Sequence, residues 1–448
     1  MTHSDPPLPT PGALHPSGWL FRAAILALVG LMSYGSYFAY DSIGALAPTL
    51  IQIWHTDRES VGLLYTAYNA AAIVSVLFAG ILTDRIGTRR ASVLFSAFII
   101  AGAAVVALAP GVGVAVVGRF VFGAGSEALI VATTAILARW FAGRWLAFSF
   151  GLTLSISRLG SLLSFNTESL VASRFGWQAA LWVAVGLCVA SLVCTLLYGL
   201  LDRRGERALS LPLPGSDRVA WRHVVRFGPS YWLVVALCVT FYCAIFPFTS
   251  LSTDFFHDKW GLPLTADRGG SFLAAVFQDL RHMFSTAPGT TSIVIFASML
   301  LSPFAGTLVD RIGRRAGLMA LGSLLTIPCF VALGLRALPP FVPMIGLGAA
   351  FVLVPAAMWP AVPLIVERER VGTAFGLMTM VQNVGLALFS WLNGLLRDRT
   401  GDYAASMAMF ACLGLFGLVL SALLWRRERR EGGVLERPAA VPAQLGGG

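Results

Sequence analysis

Two charges in the middle of apolar runs are the side chains of this chain best placed to do chemistry. Between Gly118 and Gly160 the sequence reads GRFVFGAGSEALIVATTAILARWFAGRWLAFSFGLTLSISRLG, with Glu127 in one apolar run and Arg158 in the next. Each run is long enough to cross a bilayer as a helix. Counted from the basic corner between Arg139 and Arg144 at about 1.5 Å per residue, both charges lie roughly 18 to 21 Å in, slightly past the middle of a hydrocarbon layer about 30 Å thick. Burying either alone there costs on the order of 3 kcal/mol or more, so both are expected to face the protein interior or a watery cavity. Two readings stand: a structural ion pair that locks two helices, or a site for a ligand that carries both charges.

Other side chains are candidates for the same cavity. Asp41, in the first apolar run, could bind a cationic group, carry a proton, or cap a helix break before Pro48. Tyr37, Tyr65, Tyr68 and Tyr242 could line a wide pocket or belong to an interfacial belt. Trp359, Gln382 and Asn383 are the aromatic and amide candidates of the second half, where an amide can serve a ligand or a neighbouring helix. Arg119, near the end of its run, reads as a packing anchor.

The elements that position these residues follow from composition. The chain has 448 residues, 57% hydrophobic and 12% charged, with mean hydropathy +0.76, which defines an all-α membrane protein and excludes a soluble domain. Its net charge of +10 is spread in short basic clusters between apolar runs, the pattern of membrane topology and not of nucleic-acid binding. The six cysteines fall inside apolar runs, with no metal-ligand spacing or disulfide framework. Apolar periodicity predicts twelve spans. The first six cover 19 to 48, 60 to 82, 91 to 110, 113 to 138, 145 to 169 and 176 to 200; the second six cover 229 to 252, 290 to 309, 316 to 336, 341 to 365, 372 to 395 and 403 to 425. They imply a tail over 1–18, a six-helix bundle over 19–200, a linker over 201–228, a second bundle over 229–426 and a tail over 427–448. The first run lacks the basic region of a signal peptide and is expected to be retained. With both termini inside, the inner segments hold 21 of the 32 basic residues and the outer segments 8. An extra outer segment, 254–289, carries Phe272, Val276, Phe277 and Leu280 at helical spacing and reads as an interfacial helix over the outer mouth, with a gating role as the alternative. Arg218, Arg222 and Arg226, beside Trp221, predict a similar helix in the linker, lying on an anionic inner leaflet.

An internal repeat relates the halves. GILTDRIGTRR (Gly80 to Arg90) returns as GTLVDRIGRRA (Gly306 to Ala316), and FSFGL (Phe148 to Leu152) returns as TAFGL (Thr373 to Leu377), at offsets of 226 and 225 residues. At that offset Asn383 is the counterpart of Arg158. In the loop motif, Gly80 and Gly306 are expected to permit close helix contact. Asp84 and Asp310 can cap or pair at a neighbouring helix end, and Arg85, Arg89, Arg311 and Arg314, around Gly87 and Gly313, hold the inner face. Parallel six-span halves describe a carrier that rocks about a midplane site.

The loop motif resembles the signature of the major facilitator superfamily, which implies that fold and a latch role for these residues. A wider resemblance rests on YFAYDSIGAL (37–46), GRFVFGAGSEAL (118–129), GLTLSISRLGS (151–161), FYCAIFPF (241–248), MWPAVPLIV (358–366) and GTAFGLMTMVQNVGLALFSWLNGLLRDRTG (372–401). These blocks are similar to the lysosomal dipeptide-transporter branch of that superfamily. The resemblance implies facilitated uniport of dipeptides, with Glu127 and Arg158 holding the two charged ends of the peptide backbone. A dipeptide is a zwitterion, so the chemistry agrees with the residue types. The absence of an Asn-x-Ser/Thr sequon and of an acidic dileucine signal leads to the expectation of a bacterial plasma membrane protein, monomeric and without an accessory subunit.

The expected function is transport of short peptides by alternating access, without cofactor, and not catalysis: no nucleophile and base, nucleotide loop or metal cluster is evident. A proton-coupled carrier of an organic anion or drug, with Asp41 or Glu127 as the proton site, is the first alternative. A non-transporting receptor on the same fold is the second.

Overall fold

The computed structural model describes residues 18–141, 145–209, 227–266, 271–367, 370–431 and 433–437. Long apolar stretches leave the backbone no water to bond, so they close their hydrogen bonds internally as helices. In the first half these are α1 (Trp19–Ala45), α2 (Ala47–Ile53), α3 (Arg58–Ile86), α4 (Thr88–Ala107), α5 (Val112–Phe141), α6 (Leu146–Phe175) and α7 (Trp177–Leu209). The second half has α8 (Pro229–Trp260), α9 (Phe272–Arg281), α10 (Ala287–Ile312), α11 (Arg315–Leu335), α12 (Phe341–Met358), α13 (Val362–Ile365), α14 (Val371–Thr400) and α15 (Ala404–Glu431). Among the described residues eleven helical segments are long and apolar enough to cross a membrane, and the apolar stretch Ala287–Ser302 of α10 completes a set of twelve.

Local chemistry sets the breaks. Pro48 follows the interruption at Leu46 that separates α1 from α2. Pro360 and Pro363 fall where α12 gives way to a 3-10 turn and then to α13. Gly87 and Gly313 end α3 and α10 with φ of +82° and +66°, a backbone region open to glycine and strained for other residues. The two glycines of the repeated motif are therefore turn formers. Gly80 departs from the expected close helix contact, since a Cβ there would meet nothing within 4 Å. The close approach lies at the other end of α3, where Gly62 faces the Ser390 carbonyl of α14 and Gly394 of α14 faces the Arg58 carbonyl, leaving no room for a side chain at either.

Two hydrophobic cores form. One is built mainly from α1 to α7, from Phe21 to Tyr198, and the other from Phe227 through α8 to α15 and the Leu435 side chain. A small cluster of Ala45, Phe165 and Ile295 bridges them. Several helices overrun the expected spans. α7 continues to Leu209 because Asp202 and Glu206 meet Arg89 of the first loop motif (2.8 Å to Glu206) and Arg139 (3.0 Å to Glu206). α8 continues to Trp260, so the first residues of the expected outer segment are helical. The expected linker helix around Arg218, Trp221, Arg222 and Arg226 lies outside the described residues.

The bundle has two ends: a motif end with the turns at Gly87 and Gly313, and a far end with those at Gly176, Gly261 and Gly401. The far end is fastened across the halves. Arg58 of α3 pairs with Asp254 of α8 at 2.9 Å, the Glu59 amide donates to Asp398 of α14 at 2.7 Å, and Trp391 Nε1 donates to Glu59 at 2.8 Å. Thr66 adds a hydrogen bond to the Ala387 carbonyl at 2.6 Å. Toward the motif end, Cβ atoms built at Gly151 of α6 and Gly376 of α14 meet nothing within 4 Å.

Asp57 caps α3, accepting from the Ser60 amide at 2.8 Å, and its bonds to Ser60 hold its carboxyl below the usual carboxylate range. Asp57→Ala is expected to cost about 1 kcal/mol near neutral pH. A depressed folded value means that this contribution is complete above the unfolded value of about 3.9 and is lost as pH falls through the folded value. Thermal unfolding in detergent, followed toward acid, should show the wild type and variant converging; a constant gap would remove the cap from the account.

Candidate functional site

A cavity of about 330 Å³ lies between the halves. Its first-half wall comes from α1 (Tyr37, Asp41), α3 (Tyr68, Asn69), α5 (Ser126, Glu127) and α6 (Arg158, Ser161), and carries its three charges. Its second-half wall comes from α8 (Tyr242, Phe246), α12 (Phe351) with Trp359 beyond it, and α14 (Gln382, Asn383), and is aromatic and amide in character. Nine of the ten side chains that the sequence offers for a cavity line this one: Tyr37, Asp41, Tyr68, Glu127, Arg158, Tyr242, Trp359, Gln382 and Asn383. Tyr65 does not; it is 1% exposed and sits behind the wall.

Glu127 and Arg158 do not pair with each other. Glu127 accepts a hydrogen bond of 2.7 Å from the Tyr68 hydroxyl, which also lies 3.2 Å from Ser126 Oγ. Arg158 donates from Nη1 to Ser298 Oγ of α10 at 2.9 Å, and its guanidinium lies 4.6 Å from the centroid of Phe351. Each charge is oriented by a neutral partner, so neither neutralises the other. A carboxylate can accept several hydrogen bonds and a guanidinium can donate five, so each keeps capacity for a ligand. Asp41 stands on the same wall beside Ser161.

The opposing wall is ordered by its own contacts. Trp359 Nε1 donates to the Tyr242 hydroxyl at 2.9 Å, which leaves the phenol proton for another acceptor. Tyr242 stacks with Phe246 at 5.7 Å and 6°, and Phe351 meets both rings edge-on. Gln382 Oε1 is 3.2 Å from Cys238 Sγ, and Asn383 donates to the Thr379 carbonyl of its own helix at 2.9 Å. Asn383, the repeat counterpart of Arg158, is thus tied to its own helix through its amide nitrogen.

Some residues of the wall had no sequence signal. Phe351 belongs to a helix that is apolar all round, and Phe246 gains meaning only from what it faces; Ser298, buried and outside the wall, gains it from its bond to Arg158. Glu168 falls within the expected span 145 to 169 but is not among the candidates named from the sequence. It lies in α6, fully buried, accepts from Ser42 Oγ at 3.0 Å and does not line the cavity. Arg119, expected as a packing anchor, is 2% exposed and lies among the rings of Tyr40, Tyr65, Tyr68 and Phe122.

Twelve spans in two cores around one charged cavity make the architecture of a membrane carrier. The profile of the Major Facilitator Superfamily matches residues 26–278 and 269–445, and the chain belongs to that superfamily as a transporter, not an enzyme. It is 32% identical over 434 residues to the lysosomal dipeptide transporter MFSD1 of Danio rerio, covering 94% of this chain and 90% of that protein. The Homo sapiens protein of the same name is 32% identical over 449 residues, covering 96% and 92%. Among solved structures, the nucleoside transporter NupG superposes with a TM-score of 0.68 at 14% identity, covering 90% of this chain and 99% of that one. The peptide transporter POT in complex with sulfate superposes with a TM-score of 0.68 at 15% identity, covering 92% and 96%. At such identity these structures share the fold.

If the cavity charges serve a ligand, they should matter little to the empty protein. Glu127→Gln keeps an acceptor for Tyr68 and is expected to change ligand-free stability by less than about 1 kcal/mol. Asp254→Asn strips Arg58 of its buried partner and should cost about 2 kcal/mol, discounted because Arg58 is partly exposed. Thermal unfolding of both variants compares them directly, and equal losses would make Glu127 a structural group.

Proposed function

We propose that this protein carries dipeptides across a membrane by alternating access, as a uniporter. The observation that carries the reading is that Glu127 and Arg158 line one cavity between the halves without pairing. A ligand with an ammonium at one end and a carboxylate at the other completes both, and dipeptides fit that description together with a cavity of about 330 Å³. Glu127, aimed by Tyr68, takes the ammonium. Arg158, aimed by Ser298, takes the carboxylate. The aromatic wall of Tyr242, Phe246, Phe351 and Trp359 receives side chains of varied shape, and Asn383 and Gln382 face the peptide group. The similarity to the dipeptide transporters named MFSD1 supports the substrate class.

The far-end contacts of Arg58, Glu59 and Thr66 across the halves, with the looser motif end, suit a carrier whose cavity faces the motif end. The excess of basic residues at the motif end supports its placement on the cytoplasmic side, with both termini there, and a bacterial plasma membrane as the setting. In this scheme the Gly80 to Arg89 and Gly306 to Arg314 motifs act as latches. Arg89 already grips α7 through Glu206 and Asp202. The protein works as a monomer without an accessory subunit.

The test is thermal stabilisation of the purified protein by dipeptides, free amino acids, tripeptides and organic anions, repeated with Glu127→Gln and Arg158→Ala. A dipeptide at a hundredfold excess over its Kd should stabilise the wild type by about 2.7 kcal/mol, and both variants should lose most of this. Counterflow of labelled dipeptide in proteoliposomes without a pH gradient tests uniport. Stabilisation by an anion that persists in Glu127→Gln, with no response to dipeptides, would give the site to an anion carrier instead.

A further inference from the structure

Arg119 has no place in the binding scheme above, yet it is among the most deeply buried charges in the chain. It lies on α5 two turns before Glu127, is 2% exposed and is absent from the cavity wall. Its guanidinium carbon is 5.2 Å from the ring centroids of Tyr40 and Tyr65, 5.3 Å from Tyr68 and 5.1 Å from Phe122. Nη1 reaches the Ala39 carbonyl at 3.4 Å, while Nε and Nη2 have no hydrogen-bond partner. No carboxylate makes a salt bridge with it among the described residues. A buried cation without a salt bridge is costly, and here the π faces of the surrounding rings supply compensation, together with the field of the nearby Asp41 carboxyl.

Those rings are also the back of the cavity wall. Tyr40 and Tyr68 both line the cavity, 4.8 Å apart and nearly perpendicular, and the Tyr68 hydroxyl is the donor that orients Glu127. A cation against a phenol ring withdraws electron density from it and makes its O–H a better donor. We propose that Arg119 is a positioning residue for ammonium recognition. By clamping the Tyr40–Tyr68 pair from behind, it fixes and strengthens the Tyr68 to Glu127 hydrogen bond, and so turns the free side of the Glu127 carboxylate to the ligand. This rests on the dipeptide reading for the ligand but not for the clamp itself, which exists in the empty protein.

Two measurements separate the possibilities. The first needs no ligand: an infrared difference spectrum between the protein and its Glu127→Gln variant isolates the Glu127 carboxyl band. Arg119→Met should move that band in the same direction as Tyr68→Phe, and Arg119→Lys, which keeps the charge without the planar stack, should move it less. An unmoved band in Arg119→Met and Arg119→Lys overturns the proposal whatever the substrate is. If Arg119→Met does not fold, Arg119→Lys decides. The second uses a dipeptide and its N-acetylated form. Arg119→Met should weaken the free-amine dipeptide about tenfold and leave the acetylated one within about twofold. The loss should not deepen when Tyr68→Phe is added, because both act on one bond. A purely structural role predicts a lower Tm with equal losses for both ligands, additive with Tyr68→Phe, and overturns the proposal. A wild type that ignores dipeptides refutes the substrate reading, and the infrared result then still judges the clamp.

Discussion

A charge at mid-membrane must be answered by something, and in this protein the answer to Glu127 and Arg158 is deliberately incomplete. Hydroxyl groups of Tyr68 and Ser298 hold them, which is enough to orient but not to neutralise. A salt bridge between them would have satisfied both charges and closed the site. Keeping them apart requires that α5 and α6 be held by other contacts, and that requirement reaches through the rest of the fold. The two hydrophobic cores supply the rigidity, and the far-end contacts supply the closure.

The far end uses the opposite logic. Arg58 and Asp254 do pair, with the Tyr403 hydroxyl donating to the same carboxylate, and glycines at positions 62 and 394 let α3 and α14 meet backbone to backbone. Charge that is satisfied within the protein fastens the halves; charge that is unsatisfied waits at the centre. The distinction is between ionic groups that are paired and ones held by hydroxyls alone, and it is drawn by partners and not by residue type.

Much of this was legible in the sequence because a lipid-spanning chain cannot hide a charge. Glu127, Arg158 and Asp41 stand out against apolar runs, and the repeat offset pointed to Asn383 before any contact was known. Glu168 stands out equally, but nothing in its own run shows that Ser42 of α1 meets it away from the cavity. What could not be read was the meeting of side chains from distant segments. Tyr40, Tyr65 and Tyr68 come from α1 and α3 to enclose an arginine of α5, and no periodicity in any one helix announces that. Phe351 was invisible for a different reason: in a helix apolar on every face, the cavity side has no compositional mark. The extents of α7 and α8 were underestimated because hydropathy measures the lipid layer, whereas ion pairs carry a helix past it.

The motif end carries one more asymmetry. In the first half, the end of α7 is tied to α4 and α5 by ionic bonds from Arg89 and Arg139 to Asp202 and Glu206. In the second half, the corresponding tie is made by the chain itself: Arg314 N bonds the Glu436 carbonyl, Arg315 reaches the Arg437 carbonyl, and Leu435 is buried in the core. Dissolved salt screens the half-exposed Arg89–Glu206 pair, whereas the buried Arg139–Asp202 pair, the carbonyl dipoles and the apolar plug are screened little. The two halves of a pseudo-symmetric carrier therefore differ at this face in a single salt-sensitive contact, which the first half has and the Arg314, Arg315 and Leu435 tie of the second does without.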